Sequence, residues 1–187
     1  MRRRAWIWIF FLAPLTAGPQ SDYASARDKF DRLRSERLRP GSRVTLSQRE
    51  LNAWLNAELG EVGPPGVRDP KLELGEQQAT GSAMVDFLKI RQARGKPPGW
   101  LMSRLLEGER PVRVKTRIRS KAGLATVDVE SVEISGVSIE GRVLQYVIDY
   151  YLSPNYPDAK VGKPFELGYG IDRLELRPGS AVIVIRQ

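Results

Sequence analysis

The residues able to do chemistry in this 187-residue chain are carboxylates, hydroxyls, amides and amines, because it has no histidine and no cysteine. A Ser-His-Asp triad, a thiolate nucleophile and an imidazole metal site are therefore excluded. The carboxylates Asp86, Asp149, Asp158 and Asp172 are scattered along the chain, and their spacing predicts no acid–base pair. The sequence thus predicts that the protein is not an enzyme and has no catalytic residue, no metal and no cofactor.

The N-terminus has the pattern of an export signal. Three arginines at positions 2–4 precede residues 5–17, an apolar stretch without a charge. This stretch is shorter than the roughly 20 residues of a bilayer span but typical of a signal-peptide core. We predict a signal peptide over residues 1–26, cleaved after Ala17, Gly18 or Ala26, with a short uncleaved signal anchor as the alternative. Both place the remaining chain outside the cytoplasm, in the periplasm or another extracytoplasmic space, tethered to the membrane if the anchor remains.

The net charge of +8 is compatible with nucleic-acid binding, but an exported protein meets anionic lipids and wall polymers instead. Residues 27–44 are predicted to form a polar basic helix and a linker. Their position beside the export segment makes four cations candidates for contact with an anionic membrane surface. These are Arg27, Lys29, Arg32 and Arg34. The interspersed acidic residues Asp28, Asp31 and Glu36 weaken this prediction, and no nucleic-acid partner is expected.

The clearest helical pattern begins after Ser47. Ser47 and Glu50 have the spacing of a capping box, in which each side chain bonds the other residue's backbone N–H. Leu51, Trp54, Leu55 and Leu59 follow at helical intervals, and Gly60 is predicted to end the helix. Two further amphipathic helices are predicted over residues 100–106 and 142–152.

Strands are predicted from alternating polarity, most clearly in a hairpin over residues 112–130. Its basic stripe, residues 113, 115, 117 and 119, is interpreted as a solvated sheet face. We predict a turn at residues 120–123 that pairs Arg119 with Leu124. That register sets two charged pairs opposite each other, namely Lys115 with Asp128 and Arg113 with Glu130.

The C-terminal residues predict a second hairpin. Gly168-Tyr169-Gly170 lacks the third glycine and the following helix of a dinucleotide-binding loop, so we interpret it as a turn. After the turn Pro178-Gly179, residues 181–185 are apolar on both faces and are predicted to be well covered. The pattern as a whole predicts an α+β fold, an antiparallel sheet with two or three helices packed on its apolar face.

Three short motifs resemble a known family. They are residues 46–55 (LSQRELNAWL), residues 132–139 (VEISGVSI) with the helix after them, and residues 164–171 (PFELGYGI) before the terminal hairpin. Together they resemble the LmeA-type lipid-binding family of small bacterial envelope proteins, which is similar to half of a TULIP-like (tubular lipid-binding) module. The resemblance covers about residues 45–187. It implies a single domain with a curved sheet wrapped around a long helix and an apolar groove for lipid tails, and it transfers no catalytic signature.

The groove would be formed by the apolar faces of the predicted helices and by one aromatic residue near the C-terminus. The candidates are Leu51, Trp54, Leu55, Trp100, Leu101, Leu105, Val143, Leu144, Val147, Tyr151 and Phe165. A filled core would use the same residues. The predicted function is that of an exported, non-catalytic protein that binds lipid or another apolar ligand. The alternative is a structural or scaffolding envelope protein that binds a protein partner through its sheet edge and basic face.

Overall fold

The computed structural model describes residues 18–62, 66–92, 108–147 and 161–187. The helices are α1 (Pro19–Arg34), α2 (Gln48–Val62), α3 (Phe87–Gln92) and α4 (Gly141–Val147). The strands are β1 (Arg43–Ser47), β2 (Val67–Gly75), β3 (Gln78–Asp86), β4 (Glu109–Lys121), β5 (Leu124–Ile134), β6 (Val137–Ile139), β7 (Phe165–Glu166), β8 (Ile171–Arg177) and β9 (Ser180–Ile185). The predicted α+β class with an antiparallel sheet is confirmed. The helix predicted over residues 100–106 lies outside the described residues.

The larger sheet has the strand order β2-β3-β4-β5-β6, and β7 pairs with the outer side of β5. The paired residues of neighbouring strands form rows across the sheet. Adjacent rows lie on opposite faces, because successive side chains of a strand point to opposite sides. One row crosses the sheet through Leu72, Gly81, Val114, Val132 and Ile139. The adjacent row crosses it through Lys71, Ser82, Arg113, Glu133 and Ser138. The sheet therefore has one apolar face and one polar, charged face.

The predicted register of the β4–β5 hairpin is wrong by two residues. The turn contains only Ala122 and Gly123, at φ 51° and 81°, so Lys121 pairs with Leu124. Positive φ at both central residues matches the right-handed twist of the flanking strands, which favours two-residue turns over longer ones. A bulge between Lys115 and Thr116 then shifts the pairing again. The resulting register places Arg117 opposite Asp128, Lys115 opposite Ser131 and Arg113 opposite Glu133.

The smaller sheet has the order β1-β9-β8 and meets the end of the larger sheet where the β2–β3 and β4–β5 turns lie. Its contact strand is β8, whose free backbone groups bond these turns. The Gly123 N–H donates to Asp172 O at 2.7 Å and the Gln77 N–H to Leu176 O at 3.3 Å. Between them, the Ser120 hydroxyl donates to the Leu174 carbonyl and accepts from its N–H. As predicted, the residues of β9 from Ala181 to Ile185 are all buried.

The core consists of three packed clusters of buried residues. The first, at the far end of the larger sheet, contains Val85, Phe87, Val132, Ile134 and Ile139. The second lies between α1 and the smaller sheet and contains Ala26, Leu33, Leu46, Ile171, Ile183 and Ile185. The third lies where the two sheets meet and contains Leu74, Ala79, Leu176 and Ala181. Leu51 of α2 packs against the second and the third, and so joins them.

Helix α1 spans Pro19–Arg34, so it begins eight residues before the region 27–44 that was predicted to contain the polar helix and the linker. Gly18 is its N-cap, and a proline in the first turn suits a helix start because the N–H that it lacks would have no partner there. Ala26 is fully buried and Leu33 is 4% exposed. The polar helix of the predicted linker region therefore packs into the folded unit.

Candidate functional site

The predicted groove residues do not share one cluster. Leu51 and Trp54 pack at the smaller sheet, whereas Leu144 of α4 packs against the far cluster of the larger sheet. Leu55 and Phe165 are half-buried, Phe165 in β7 opposite Ala125. Val143 and Val147 fall within α4. The remaining candidates lie outside the described residues, namely Trp100, Leu101, Leu105 and Tyr151.

Trp54 contributes to the contact between α1 and α2. Its ring lies 4.6 Å from that of Phe30, centroid to centroid, with an interplanar angle of 44°. Tilted aromatic pairs at this separation contribute about 0.5–1.5 kcal/mol beyond the area that they bury. Both rings pack against the cluster that contains Leu46 and Ile183. Trp54 is thus part of the core between the helices and the smaller sheet.

The apolar face of the larger sheet is covered unevenly. On β5, Val132 and Ile134 are each 1% exposed. Their β4 partners Val114 and Val112 are only partly buried, although they lie on the same face. Ala83, the β3 partner of Val112, is also only partly buried. This strip across β3 and β4 (Ala83, Val112, Val114) is a candidate apolar binding surface. The alternation in the sequence predicted the face, but not which of its strands would be only partly buried.

The opposite face of the same sheet is an ion-paired surface. Arg119 Nη2 lies 2.6 Å from Asp128, and Arg117 Nε lies 2.7 Å from Glu130. The Arg117 guanidinium, together with the Lys115 ammonium, holds the pKa of Glu130 below its usual range. Exposed pairs of this kind contribute little to stability and leave a solvated surface, as the sequence predicted for the basic stripe.

The cations of α1 fall into two groups. Arg27, Arg32 and Arg34 are exposed, and each lies near an aspartate of the same helix, Asp28 or Asp31. Lys29 differs, because its side chain is only 23% exposed and faces α2. The structure therefore places Lys29 inside the helix pair, away from the exposed surface on which a membrane contact was predicted.

Glu50 joins α1 to α2. Its Oε1 accepts hydrogen bonds from the Ser25 hydroxyl and the Lys29 ammonium, both at 2.5 Å. Its Oε2 accepts from the Ser47 N–H at 2.7 Å, while its own N–H donates to Ser47 Oγ at 3.2 Å, which confirms the capping box. Burial alone would raise the pKa of Glu50, but the hydrogen bonds from Lys29, Ser25 and Ser47 outweigh it and lower the pKa to about 2.

The free edge of β2 is covered by a ladder of amide side chains from α2, the amide ladder, consisting of Gln48, Asn52 and Asn56. The Asn52 amide donates to Leu72 O and accepts from Leu72 N–H, at 2.8 and 2.7 Å. Gln48 Oε1 accepts from the Leu74 N–H at 2.8 Å, and Asn56 Nδ2 donates to Pro70 O at 3.0 Å. Four helical residues rise about 6 Å and two strand residues about 6.8 Å, so the repeats match.

In residues 18–62, 66–92, 108–147 and 161–187, no helix is both long enough and apolar enough to cross a membrane. The acidic side chains within these same ranges form no group of three that could hold a metal ion.

Comparison with known proteins adds no relative. No protein-family model matches the sequence, and no curated protein matches it either.

Proposed function

We propose that the protein is exported and non-catalytic, and that it binds lipid or another apolar ligand against the apolar face of its larger sheet. The observation that carries this proposal is the partly exposed strip across β3 and β4, formed by Ala83, Val112 and Val114. Burying an acyl chain there would contribute about 0.8 kcal/mol for each methylene removed from water. The resemblance to LmeA-type lipid-binding proteins points to the same ligand class.

A curved sheet and helices packed on its apolar face are part of this proposal. Two bulges support curvature, one between Arg68 and Lys71 and one between Lys115 and Thr116, since an extra residue bends a strand and increases its twist. Leu144 of α4 and Ile90 of α3 pack against the cluster on the apolar face. The groove would then lie between these helices and the open strip on β3 and β4.

Export is supported by the N-terminal pattern of the sequence, and the start of α1 bears on where a signal peptide would be cleaved. The helix begins at Pro19, and Ala26 in its middle is fully buried. Cleavage after Ala26 would remove Ser25, which bonds Glu50, and Asp22, which lies 2.9 Å from Arg49. Of the three predicted cleavage positions, those after Ala17 and Gly18 leave the whole of α1 in the exported chain.

A non-catalytic function is supported by the carboxylates. A general acid at neutral pH needs a raised pKa. Four described carboxylates have a pKa that clearly departs from the ordinary value, and in each of them it is lowered, namely Glu50, Glu109, Glu130 and Glu175. These groups stay ionised and serve ion pairs.

For the alternative, a scaffold that binds a protein partner by sheet-edge pairing, two of the edge strands, β2 and β8, are already occupied. An open edge offers unpaired N–H and C=O groups to a partner strand. On β2 the amide ladder occupies this edge from Pro70 to Leu74. On β8 the turns of the larger sheet occupy it.

Native mass spectrometry of the exported protein, purified without detergent, tests the proposal. We expect a bound mass in the range of a lipid, and less of it in Val114→Gln, which places a polar group on the open strip. The matched control is Lys115→Gln, one residue away on the charged face, which should bind as the unaltered protein does. Repeated lipid-free preparations whose melting temperature does not respond to added lipid would refute lipid binding.

A further inference from the structure

The outward face of the smaller sheet carries three arginines around one carboxylate. Arg43 Nη2 lies 2.5 Å from Glu175 Oε2, and Arg177 Nη2 lies 3.2 Å from the same oxygen. Arg173 Nη2 lies 3.1 Å from Glu175 Oε1, and its Nη1 lies 2.8 Å from Asp172. Burial would raise the pKa of Glu175, but the hydrogen bonds from Arg173 and Arg43 outweigh it and lower the pKa. Glu175 is therefore ionised, and it is shared by three cations.

The strand register explains why these side chains meet. Arg43 of β1 and Arg173 of β8 both pair with Val184 of β9, so the three residues form one row across the sheet. The next row contains Glu175 beside Val182. Val182 and Val184 are each 6% exposed. The aliphatic stems of the neighbouring arginines are suited to cover these valines while the guanidiniums stay in water.

The charge of this surface is not balanced. Arg186 lines the same shallow depression of about 430 Å³ as Arg43, Arg173 and Asp172. We define the arginine patch as these residues together with Arg177 and Glu175, which gives four cations and two carboxylates. The patch thus has a net charge of +2, whereas Arg27, Arg32 and Arg34 on α1 lie beside two aspartates of their own helix and have a net charge of +1. The patch is thus the stronger candidate for attracting an anion.

Exposed apolar side chains border the patch. Leu124 is 44% and Tyr169 50% exposed. Leu124 is the first residue of β5, directly after the turn that contains Gly123, and Tyr169 lies in the turn before β8. Backbone hydrogen bonds join both turns to patch residues. The Gly123 N–H donates to Asp172 O at 2.7 Å, and the Arg186 N–H donates to Gly170 O at 2.8 Å. An exposed tyrosine and leucine beside arginines are the side chains that enter a headgroup region, since aromatic and aliphatic groups insert while cations bind lipid phosphates.

We propose that the arginine patch, with Tyr169 and Leu124 at its border, docks the protein onto the surface of an anionic lipid bilayer. A soluble polyanion would match the charge but would leave the two apolar side chains in water, which is why the bilayer is the partner that fits both features. The patch lies on the smaller sheet, whereas the open apolar strip lies on the larger one. Bilayer docking is therefore separate from the proposed binding of an apolar ligand.

Cosedimentation of the purified protein with phosphatidylcholine vesicles, with and without phosphatidylglycerol, tests the proposal. Each cation at an anionic bilayer raises affinity about fivefold, so R43Q/R173Q/R177Q should bind anionic vesicles on the order of a hundredfold more weakly. The matched control R27Q/R32Q/R34Q removes the same charge from α1. It should change the affinity less than about threefold, because salt screens charges away from the contact. Neither variant should alter the weak binding to neutral vesicles.

Glu175→Gln supplies a test that a folding defect cannot imitate, because it should strengthen binding to anionic vesicles about fivefold. Leu124→Ser and Tyr169→Ser should weaken vesicle binding and leave binding to soluble polyphosphate unchanged. Equal loss in the two triple variants would mean that only net charge matters and would overturn the proposal. Vesicle binding that ignores Leu124 and Tyr169 would overturn the bilayer in favour of a soluble polyanion. Native mass spectrometry for copurified lipid, the test of the proposed function, does not depend on vesicle binding. The two proposals can therefore fail separately.

Discussion

Glu50 is a single side chain on which two helices depend. It accepts from Ser47 at the start of α2 and from Ser25 and Lys29 on α1. At 8% exposure it is a buried carboxylate, which is costly unless hydrogen bonds and a countercharge compensate for lost hydration. Three hydrogen bonds to the carboxylate do so here, and they are also the reason that its pKa is low.

The stability of the protein should fall in acid because of Glu50. Its pKa is about 2 when folded, against an ordinary value of 4.5. Between these values the unfolded chain binds a proton that the folded protein does not, so the free energy of unfolding decreases as the pH falls from about 4.5 toward 2. Glu50→Gln should lower it by about 2–3 kcal/mol at neutral pH, and the difference from the unaltered protein should narrow toward pH 2. Urea unfolding across this pH range measures the effect.

Glu130→Gln is the control for that prediction. Glu130 also pairs with two cations, but it lies on the solvated face of the larger sheet. Removing its charge should change stability much less, because water and salt screen exposed pairs. If both variants lost equal stability, the effect would not come from the buried position of Glu50.

The sequence predicted part of this arrangement. Ser47 and Glu50 are three residues apart, and a capping box depends only on that local spacing. Lys29 is 21 positions from Glu50, and its partner is fixed by how α1 packs on α2. Within α1 itself, Lys29 is one cation among several, so nothing local distinguishes it from Arg27 or Arg32. The long-range contact is therefore the part that spacing did not reveal.

At the scale of elements, α2 packs on the core with one face and bonds the edge of β2 with another. Leu51 and Trp54 pack on the core, while the amide ladder of Gln48, Asn52 and Asn56 bonds the edge of β2. The apolar periodicity predicted the first face, because hydrophobic spacing indicates a buried stripe. The second face consists of polar residues, which are expected at a solvent surface. Its match to a strand edge becomes visible only once helix and strand lie side by side.

Asn52→Ala should destabilise the protein by about 2 kcal/mol, because it leaves the N–H and C=O of Leu72 without the side chain that bonds both. Alanine has the higher helix propensity, so α2 itself would gain from the change. Hydrogen exchange of the Leu72 amide should accelerate, and light scattering should detect association through the exposed edge.

Asn56→Ala is the matched control on the same helix. Asn56 makes one bond to β2, at Pro70, which has no N–H to satisfy. Its loss should cost less than about 1 kcal/mol and should leave the Leu72 amide protected. Equal effects of the two substitutions would mean that the ladder does not protect the edge.

The β4–β5 turn carries the third prediction. Gly123 has φ 81°, and a Cβ there would collide with Arg186 Nη2. Gly123→Ala should lower stability by about 1 kcal/mol of backbone strain, plus a small further cost for displacing the exposed Arg186 guanidinium. Gly179→Ala has a similar φ of 75° but open space around its Cβ, and should cost about 1 kcal/mol. The difference between the melting temperatures of the two variants measures the effect of the Arg186 contact, because both variants share the backbone strain.

The same turn shows why the hairpin register was mispredicted. Alternation alone allows any shift by two residues, since it keeps each side chain on its face. Both the predicted and the observed register set basic residues of β4 near acidic residues of β5, so charge did not distinguish them. The turn length decides, and it depends on Ala122 adopting a positive φ, which is uncommon for a residue with a Cβ.

At the scale of the whole molecule, stability depends on how much of the N-terminal helix α1 the chain keeps. Residues 18–26 belong to α1 and its N-cap, and they carry three links to α2 or the core. Asp22 pairs with Arg49, Ser25 bonds Glu50, and Ala26 is fully buried. A chain that starts at residue 18 keeps all three, whereas a chain that starts at residue 27 loses them and half of the helix.

We therefore expect a protein lacking residues 1–17 to melt cooperatively, and one lacking residues 1–26 to be destabilised by several kcal/mol or to aggregate. The loss has two sources, the opened space beside Leu33 and Leu46 and a Glu50 that keeps only part of its hydrogen bonds. Circular dichroism melts compare the two chains, with Arg27→Gln in the longer one as a surface control. Equal melting temperatures of the two shortened chains would show that the first half of α1 is dispensable for stability. Cleavage after Ala26 would then be as compatible with the fold as cleavage after Ala17 or Gly18.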